Sequence, residues 1–517
     1  MKFTLKLLIL WLTFSGTTTL VFSQKRSKKK KPNVLLIFTD DHRFTGIHAL
    51  GGMPVKTPNI DKLAENGTSF TSAYLMGAFT GATCVASRAM LHTGRDVFQL
   101  DKIGRSLPTD HTTIGEAFQE AGYHSHAIGK WHQDRASLAR SFNSGDKMMG
   151  LSRYLVDHFR MPLWDWDAEN LFPADSAYLL TYNKEGKVSR RLMNKGDKRG
   201  PIGTEKNGPH TSEIFAEAAS DFITNYEEKN PFFMYLAFHA PHDPRQAPQK
   251  YLDMYPPSEI ELTPSYAAQH AFDNGHMFLR DEQLAPWPRT KDIAKKELAS
   301  YYAIITHLDE QIGKVIAALK ASGQYENTII VLAGDSGLAV GNHGLLGKQS
   351  VYDEDGIHVP FIISGGAIKD KGRKIDAFCY IHDIFPTVCD LAKVPKPASV
   401  TGKSMLPVIS GEKDEVRDYT YHAYRQFQRA YRKGDYKLIE YVRADDETKQ
   451  LGKFVAGSRV TQLFHIKNDP WETTNLAIFP EYKGLLQTMQ KEMKETAASL
   501  NDKQESVGEK FDFWDYY

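Results

Sequence analysis

Four short stretches of this chain set carboxylates, imidazoles and a lysine where chemistry is done. They are Thr39-Asp40-Asp41, Gly129-Lys130-Trp131-His132, His239-Ala240-Pro241-His242 and Gly334-Asp335-Ser336, with Lys348 in the loop after the last. Three carboxylates brought together (Asp40, Asp41 and Asp335) repel and raise one another's pKa unless a cation lies among them. An all-oxygen donor set suits a hard ion, Ca²⁺ or Mg²⁺, better than zinc. Lys130, His132, His242 and Lys348 would bring positive charge and protons to the same place, which implies an anionic guest. A metal on one side and lysines on the other describe a site for an ester of sulfate or phosphate.

A fifth stretch, Gly81-Ala-Thr-Cys-Val-Ala-Ser-Arg-Ala-Met-Leu91, holds one of only three cysteines in 517 residues. Thr83 fits an N-cap, Ser87 to His92 continue a helix, and Gly94 fits its end. Cys84 then lies in the first turn, where the helix dipole favours negative charge, with Arg88 one turn on. Such a thiol is expected to be acidic and nucleophilic. Thiolate is nevertheless a soft ligand, poorly matched to the hard-cation cluster. Cys379 and Cys389 sit in apolar surroundings and read as small core residues.

The elements that must position these residues follow from the apolar runs before them. Val34–Phe38, His124–Ile128, Phe232–Phe238 and Thr328–Ala333 are short and apolar, as strands buried on both faces are. An amphipathic pattern over about Asp292 to Ser322, stopped by Gly323, predicts a long helix. Strands alternating with helices predict an α/β fold, a large mainly parallel mixed sheet flanked by helices on both faces. In such sheets ligands bind beyond the carboxyl ends of the strands, so the four charged stretches are expected to converge. Any one of them alone would read as a solvated turn.

Composition sets the wider limits. The chain is 41% hydrophobic and 25% charged, with net charge +1, which argues against a nucleic-acid binder. Three cysteines cannot all pair, so disulfides do not organise the fold. Lys2 and Lys6, the apolar run Leu7 to Phe14 and Ser23-Gln24 read as a signal peptide over 1–23. Ser15 to Thr19 interrupt the apolar run, which falls short of the ~20 residues of a span. An exported protein, periplasmic or secreted, is expected, with no stable membrane insertion after cleavage. A basic linker follows over 24–32, then a large domain over 33–400 and a smaller C-terminal α+β domain with an antiparallel sheet over 401–517.

Cys84-x-Ala-x-Arg88 resembles the signature of the formylglycine-dependent sulfatases of the alkaline phosphatase superfamily. The likeness extends through Leu91-His-Thr-Gly94-Arg95, the Asp40-Asp41 pair, "GKWH", "HAPHDP", residues 334–360, "DIFPTVCDLAKV", "GKSMLPVI" and 463–477. It implies that Cys84 is oxidised to formylglycine by a formylglycine-generating or anaerobic sulfatase-maturing enzyme. It also implies Ca²⁺ on Asp40, Asp41, Asp335 and the oxygen of modified Cys84. One hydroxyl of the hydrated aldehyde would attack sulfur; the other would collapse and expel sulfate, which a serine could not do. Lys130 and Arg88 would hold the formylglycine, His132 would act as base, and His242 and Lys348 would grip sulfate and the leaving oxygen. Ser336 stands where many members carry Asn or His; it, water or Asn342 would complete the metal shell. His358 replaces an expected arginine and reads as structural.

The substrate is expected to be a sulfated poly- or oligosaccharide. The region from Asp134 to Pro209 carries Trp164, Trp166, Tyr178, Tyr182, Arg190, Arg191, Lys195, Lys198 and Arg199, whose aromatic faces and cations suit a sulfated sugar. Arg425 to Lys437 would line the pocket from the smaller domain. His239 and His343 are further candidate substrate contacts. The alternatives are a phosphodiesterase or phosphonate monoester hydrolase of the same superfamily, and a catalytically silent glycan-binding protein.

Overall fold

Alternation along the central strands decides the layering. Val34, Leu36 and Phe38 enter one apolar cluster while Leu35 and Ile37 enter another; Val331 and Ile330 divide likewise. Both faces of the sheet are therefore covered, each fully buried aliphatic side chain contributing about 1.5–3 kcal/mol. The computed structural model describes residues 30–101, 103–151, 157–169, 171–194, 197, 207–369, 371–443, 458–503 and 513–517. The expected signal peptide and residues 24–29 of the basic linker lie outside them, as do Lys195, Lys198 and Arg199. Residues Lys31–Tyr517 form one compact unit.

The large sheet has eight strands. In chain order they are β1 (Asn33–Thr39), β2 (Thr68–Phe70), β3 (His124–Lys130), β4 (Ser144–Met149), β5 (Phe232–Ala237), β6 (Thr328–Gly334), β7 (Phe361–Ser364) and β8 (Arg373–Ile375). Their spatial order is β8-β2-β7-β6-β1-β5-β3-β4. The strands predicted from the four apolar runs are β1, β3, β5 and β6. They are consecutive neighbours, all parallel, at the centre of the sheet. Only β7 runs antiparallel to its neighbours, which makes the sheet mixed.

Helices cover both faces. Helix α1 (Thr83–Thr93) packs Ala86, Ala89, Met90 and Leu91 into one cluster. Helices α2 (Thr211–Asn225) and α3 (Lys291–Ala321) pack into the other. The long helix starts where Thr290 accepts from the Ile293 N–H, and Gly323, at φ +71°, follows its last turn. At α1 the cap differs from expectation. Ala82 is the N-cap and makes no side-chain bond, while Thr83 is the first helical residue.

A second sheet is built from β9 (Tyr419–Tyr424), β10 (Gln428–Lys433), β11 (Tyr436–Arg443) and β12 (Ser458–His465), successive antiparallel neighbours. Gly77–Ala78, just ahead of α1, joins its edge parallel to β9. At Gly77 a side chain would lie 1.8 Å from the Ala423 carbonyl, so only glycine lets the two backbones meet.

Candidate active site

Register brings the charged residues to one level. Thr39 pairs with Gly334, Phe38 with Ala237, and Gly129 with Ala237, so Asp40, Asp335, the segment after β5 and Lys130 leave the sheet side by side. Asp41 lies in the left-handed region, at φ 58°. Its N–H donates to Asp335 Oδ1 at 2.9 Å and its carbonyl accepts from Tyr301 at 2.7 Å, which holds a conformation few residues adopt unaided. His132, at φ 74°, is similarly bent.

Arg88 is the hub. Nη2 lies 3.2 Å from Asp40 Oδ2 and 3.0 Å from Asp335 Oδ2, and Nη1 donates to the Lys130 carbonyl and to Tyr235. Lys130 is paired with Asp40, Lys348 with Asp41. His239 Nδ1 stands 3.5 Å from Asp40 Oδ2, and His242 Nε2 3.8 Å from Asp41 Oδ2. Ser336 Oγ donates to Asp41 Oδ1 at 3.1 Å. Cys84 Sγ lies 3.4 Å from His132 Nδ1 and 3.9 Å from Lys130 Nζ. The structure thus brings together Asp40, Asp41, Cys84, Arg88, Lys130, His132, His239, His242, Asp335, Ser336 and Lys348.

Burial sets the electrostatics. It pushes the Asp335 carboxyl up to about 6, with Asp40 adding to the rise and Arg88 opposing it. Asp41 is raised for the same reason, its Lys348 partner only partly offsetting burial. At Asp40 burial also pushes upward, but Lys130 and Arg88 together hold it well below the usual range. Burial, reinforced by Lys130 and Arg88, keeps His132 neutral. His242 is likewise neutral through burial, with Lys348 adding to it. Its Nδ1 meets the Asp243 carbonyl, which can only accept, so Nδ1 carries the proton and Nε2 faces Asp41 as a lone pair.

The acidic thiol expected at residue 84 is not found. Cys84 is only 2% exposed, and burial raises its thiol to about 11 despite Lys130 and Lys348. Arg88 gives its fork to Asp40, Asp335, the Lys130 carbonyl and Tyr235 rather than to the sulfur. As plain cysteine the residue is a thiol at neutral pH and a poor nucleophile.

Two buried carboxylate oxygens, Asp40 Oδ1 and Asp41 Oδ2, accept no hydrogen bond from the described residues. Ligand atoms of Asp40, Asp41 and His242, and of Asp40, Cys84 and Asp335, each gather within 4.8 Å. Orphaned oxygens are costly unless something binds them, so the donor set fits a hard cation. Asn342 accepts from Thr263 through Oδ1.

Two expected substrate contacts, Trp164 and His343, are corrected. Trp164 is 1% exposed and its indole N–H donates to the Pro173 carbonyl, so no face is free for a sugar. Trp166 packs over Gly145, where a side chain would meet its ring at 2.7 Å. His343 uses one nitrogen on Asp355 and the other on the Glu472 carbonyl, and stacks on Tyr352 at 3.8 Å. The cations near the tryptophans are also engaged: Arg190 lies over Tyr178 and pairs with Asp165, and Arg191 pairs with Asp197. Arg429, Arg432 and Lys437 are held by Asp502, Asp353 and Glu472 rather than lining a pocket. His358 is structural, bonded to Glu354 and the Thr71 carbonyl. Sequence reasoning missed Tyr235, Asp243, Arg280 and Asp281; only Asp243, inside "HAPHDP", carried a local signal.

Comparison with known proteins agrees with this geometry. Residues 32–394 match the family described as sulfatase, and residues 341–499 match the C-terminal region of N-sulphoglucosamine sulphohydrolase. An arylsulfatase of Clostridium perfringens is 28% identical over 89% of this chain and 93% of its own. An N-acetylglucosamine-6-O-sulfatase of Bacteroides thetaiotaomicron is 24% identical over 93% and 90%. The crystal structure of a phosphonate monoester hydrolase of Agrobacterium radiobacter shares the fold, with TM-score 0.67, 21% identity, and 91% and 96% coverage. Among the described residues no helix is long and apolar enough to cross a membrane. The chain belongs to the sulfatase family of the alkaline phosphatase superfamily and is a sulfuric ester hydrolase.

Proposed function

We propose that this enzyme removes sulfate from a sulfated poly- or oligosaccharide, using residue 84 as formylglycine and Ca²⁺ as its metal. The observation that carries the reading is the position of Cys84, whose sulfur shares one 4.8 Å cluster with the carboxylates of Asp40 and Asp335. A soft, high-pKa thiol suits that place poorly, and a hydrated aldehyde, with hard oxygens, suits it well. Asp40, Asp41 and Asp335 would hold the ion, with Ser336 and the oxygen of residue 84 beside them. Bound there, a divalent cation supplies fixed positive charge against the sulfuryl oxygens.

The surrounding side chains divide the remaining work. Neutral His132, 3.4 Å from the position of Sγ, can take a proton from a hydroxyl on residue 84. Lys130 and Arg88 fix Asp40 and Asp335, and Lys130 also reaches residue 84. Lys348 carries the proton that the departing alcohol needs, and His242 orients the same oxygen. A charge-stabilising contact of this type lowers a barrier by about 3–4 kcal/mol, so several together reach the range enzymes need. A sugar as the leaving alcohol is supported by the Bacteroides relative, a sulfatase of N-acetylglucosamine. Export to the periplasm or medium, and maturation by a formylglycine-generating or anaerobic sulfatase-maturing enzyme, belong to the same reading.

Mass spectrometry of the peptide spanning residue 84 from active native protein tests it, paired with ion analysis of the product. Oxygen in place of sulfur, with sulfate released from a sulfated oligosaccharide, is the expected result. An unmodified cysteine in fully active enzyme overturns the nucleophile; release of phosphate or phosphonate in place of sulfate overturns the substrate.

A further inference from the structure

The rim of the site carries a cation to which none of these roles falls. Arg280 opens the turn Arg280–Leu284, and its side chain is 40% exposed. Nε lies 2.8 Å from Asp281 Oδ1, and Nη2 lies 2.6 Å from the same oxygen and 2.9 Å from Asp243 Oδ1. Both carboxylates are buried. Asp243 Oδ1 is 3.3 Å from Nδ1 of His242, whose other nitrogen faces Asp41. Asp281 Oδ2 accepts from Gln349, next to Lys348, and the same amide donates to the Gly81 carbonyl, three residues before Cys84. Arg280 is therefore clamped against the two loops that carry His242 and Lys348. Its Nη1 makes no hydrogen bond to the described residues, so two N–H groups remain at the exposed end of a fixed fork.

We infer that Arg280 is a specificity-determining residue, donating from Nη1 to a neutral hydroxyl oxygen of the leaving sugar beside the sulfated carbon. The inference rests on the sulfatase reading with a sugar as leaving group. The side is fixed by His242 and Lys348, which in that reading hold the leaving oxygen. The neutrality of the acceptor follows from charge. The guanidinium charge is already offset by the two buried carboxylates it touches, so it offers little to a second sulfate or a uronate, whereas a hydroxyl accepts without needing an unpaired cation. Because Asp243 and Asp281 already hold the fork, little side-chain entropy is lost on binding.

The test compares wild type with Arg280→Met and Arg280→Lys on monosulfated galactose and N-acetylglucosamine and on nitrophenyl sulfate, which has no hydroxyl beside its ester. For the sugar turned over fastest, Arg280→Met should lower kcat/KM about 10- to 100-fold further than it lowers kcat/KM for nitrophenyl sulfate. Arg280→Lys, which lacks the planar fork, should recover only part. For one deoxy analogue of that sugar, the loss in Arg280→Met should shrink to the loss on nitrophenyl sulfate. Equal losses on sugar and nitrophenyl ester overturn the inference, because Arg280 would then merely brace His242; no loss on either overturns it too. A preference for a disulfated sugar that disappears in Arg280→Met also overturns it, as anion recognition. Calorimetric titration of the same sugar sulfates into Cys84→Ala protein, with and without Arg280→Met, reads the contact without turnover: a deoxy penalty only where Arg280 is present supports the inference, and none overturns it. Turnover by wild type separately tests the sulfatase reading.

Discussion

Two buried clusters of charge in this molecule look alike by composition and differ in what their carboxylates touch. Beyond the ends of β1, β3, β5 and β6, one oxygen of Asp40 and one of Asp41 accept no hydrogen bond from the described residues. Where the turn Asp353–Ile357 meets the antiparallel sheet, Asp353 is paired with Lys437 and Arg432. Glu472 there accepts from the Asp353 N–H through one oxygen and lies 2.8 Å from the Lys437 ammonium through the other. Burial opposes ionisation in both places. In the second cluster the cations of the chain itself win at Asp353, which is held far below the usual range. In the first, Asp41 and Asp335 stay raised although Lys348, Arg88 and Lys130 stand beside them. Oxygens that accept no hydrogen bond from the described residues occur in both, at Asp355 Oδ1 and Glu472 Oε1 in the second; what separates the first is that its oxygens lie with the ligand atoms of Asp335, Cys84 and His242 in groups within 4.8 Å, and the second holds no such group among the described residues.

The largest effect that would break this distinction is at Asp335. Asp335→Asn should lower turnover about 10³-fold, as the loss of a preorganised charge does. Without added metal its melting temperature should stay at or above that of wild type, because the substitution removes a carboxylate that the fold already disfavours. A marked fall in the melting temperature would make Asp335 scaffold instead. Lys437→Met should do the reverse. Stripping the cation from Asp353 and Glu472 should cost about 3–5 kcal/mol in denaturant unfolding, while the molecules still folded turn over at the wild-type rate.

A smaller effect concerns pH. Burial, with Asp353 adding to it and Lys437 opposing, raises the Glu472 carboxyl from its ordinary 4.5 to about 7. Between those values the folded state holds the proton more tightly than the unfolded chain, so this residue makes the protein less stable as pH rises from 4.5 to 7. His343, whose Nε2 meets the Glu472 carbonyl, faces the same group. Asp353, depressed from 3.8, loses its contribution only below that pH and does not mask the trend. Glu472→Gln should flatten the slope in unfolding scans across this window, gaining on wild type by up to about 3 kcal/mol above pH 7. Parallel curves for the two proteins would show that the carboxyl is ionised throughout.

Much of the scaffold was legible from local pattern. The runs before Asp40, Lys130, His239 and Asp335 are strands within two residues of their expected ends, and the helix expected over about Asp292 to Ser322 runs from Lys291 to Ala321. The convergence of the four charged stretches also followed, because parallel strands that share a register must end together. The individual partners did not follow. Arg88 was expected to serve residue 84 one turn away, yet it reaches Asp335, 247 positions on. Trp164 looks like a sugar platform in a list of residues and is packing in space.

The sequence by itself determined the strands, the long helix and the placing of Asp40, Asp41, Lys130, His242 and Asp335 at the carboxyl edge of one sheet. Those depend on side-chain alternation and turn chemistry among near neighbours, which are present in any window of the chain. Only the tertiary structure decided that Lys348 answers Asp41 across 307 positions, that burial rather than the helix dipole governs the Cys84 thiol, and that Arg280 is fixed at the rim by Asp243 and Asp281. Desolvation and ion pairing depend on which distant segments exclude water together, and no local pattern encodes that.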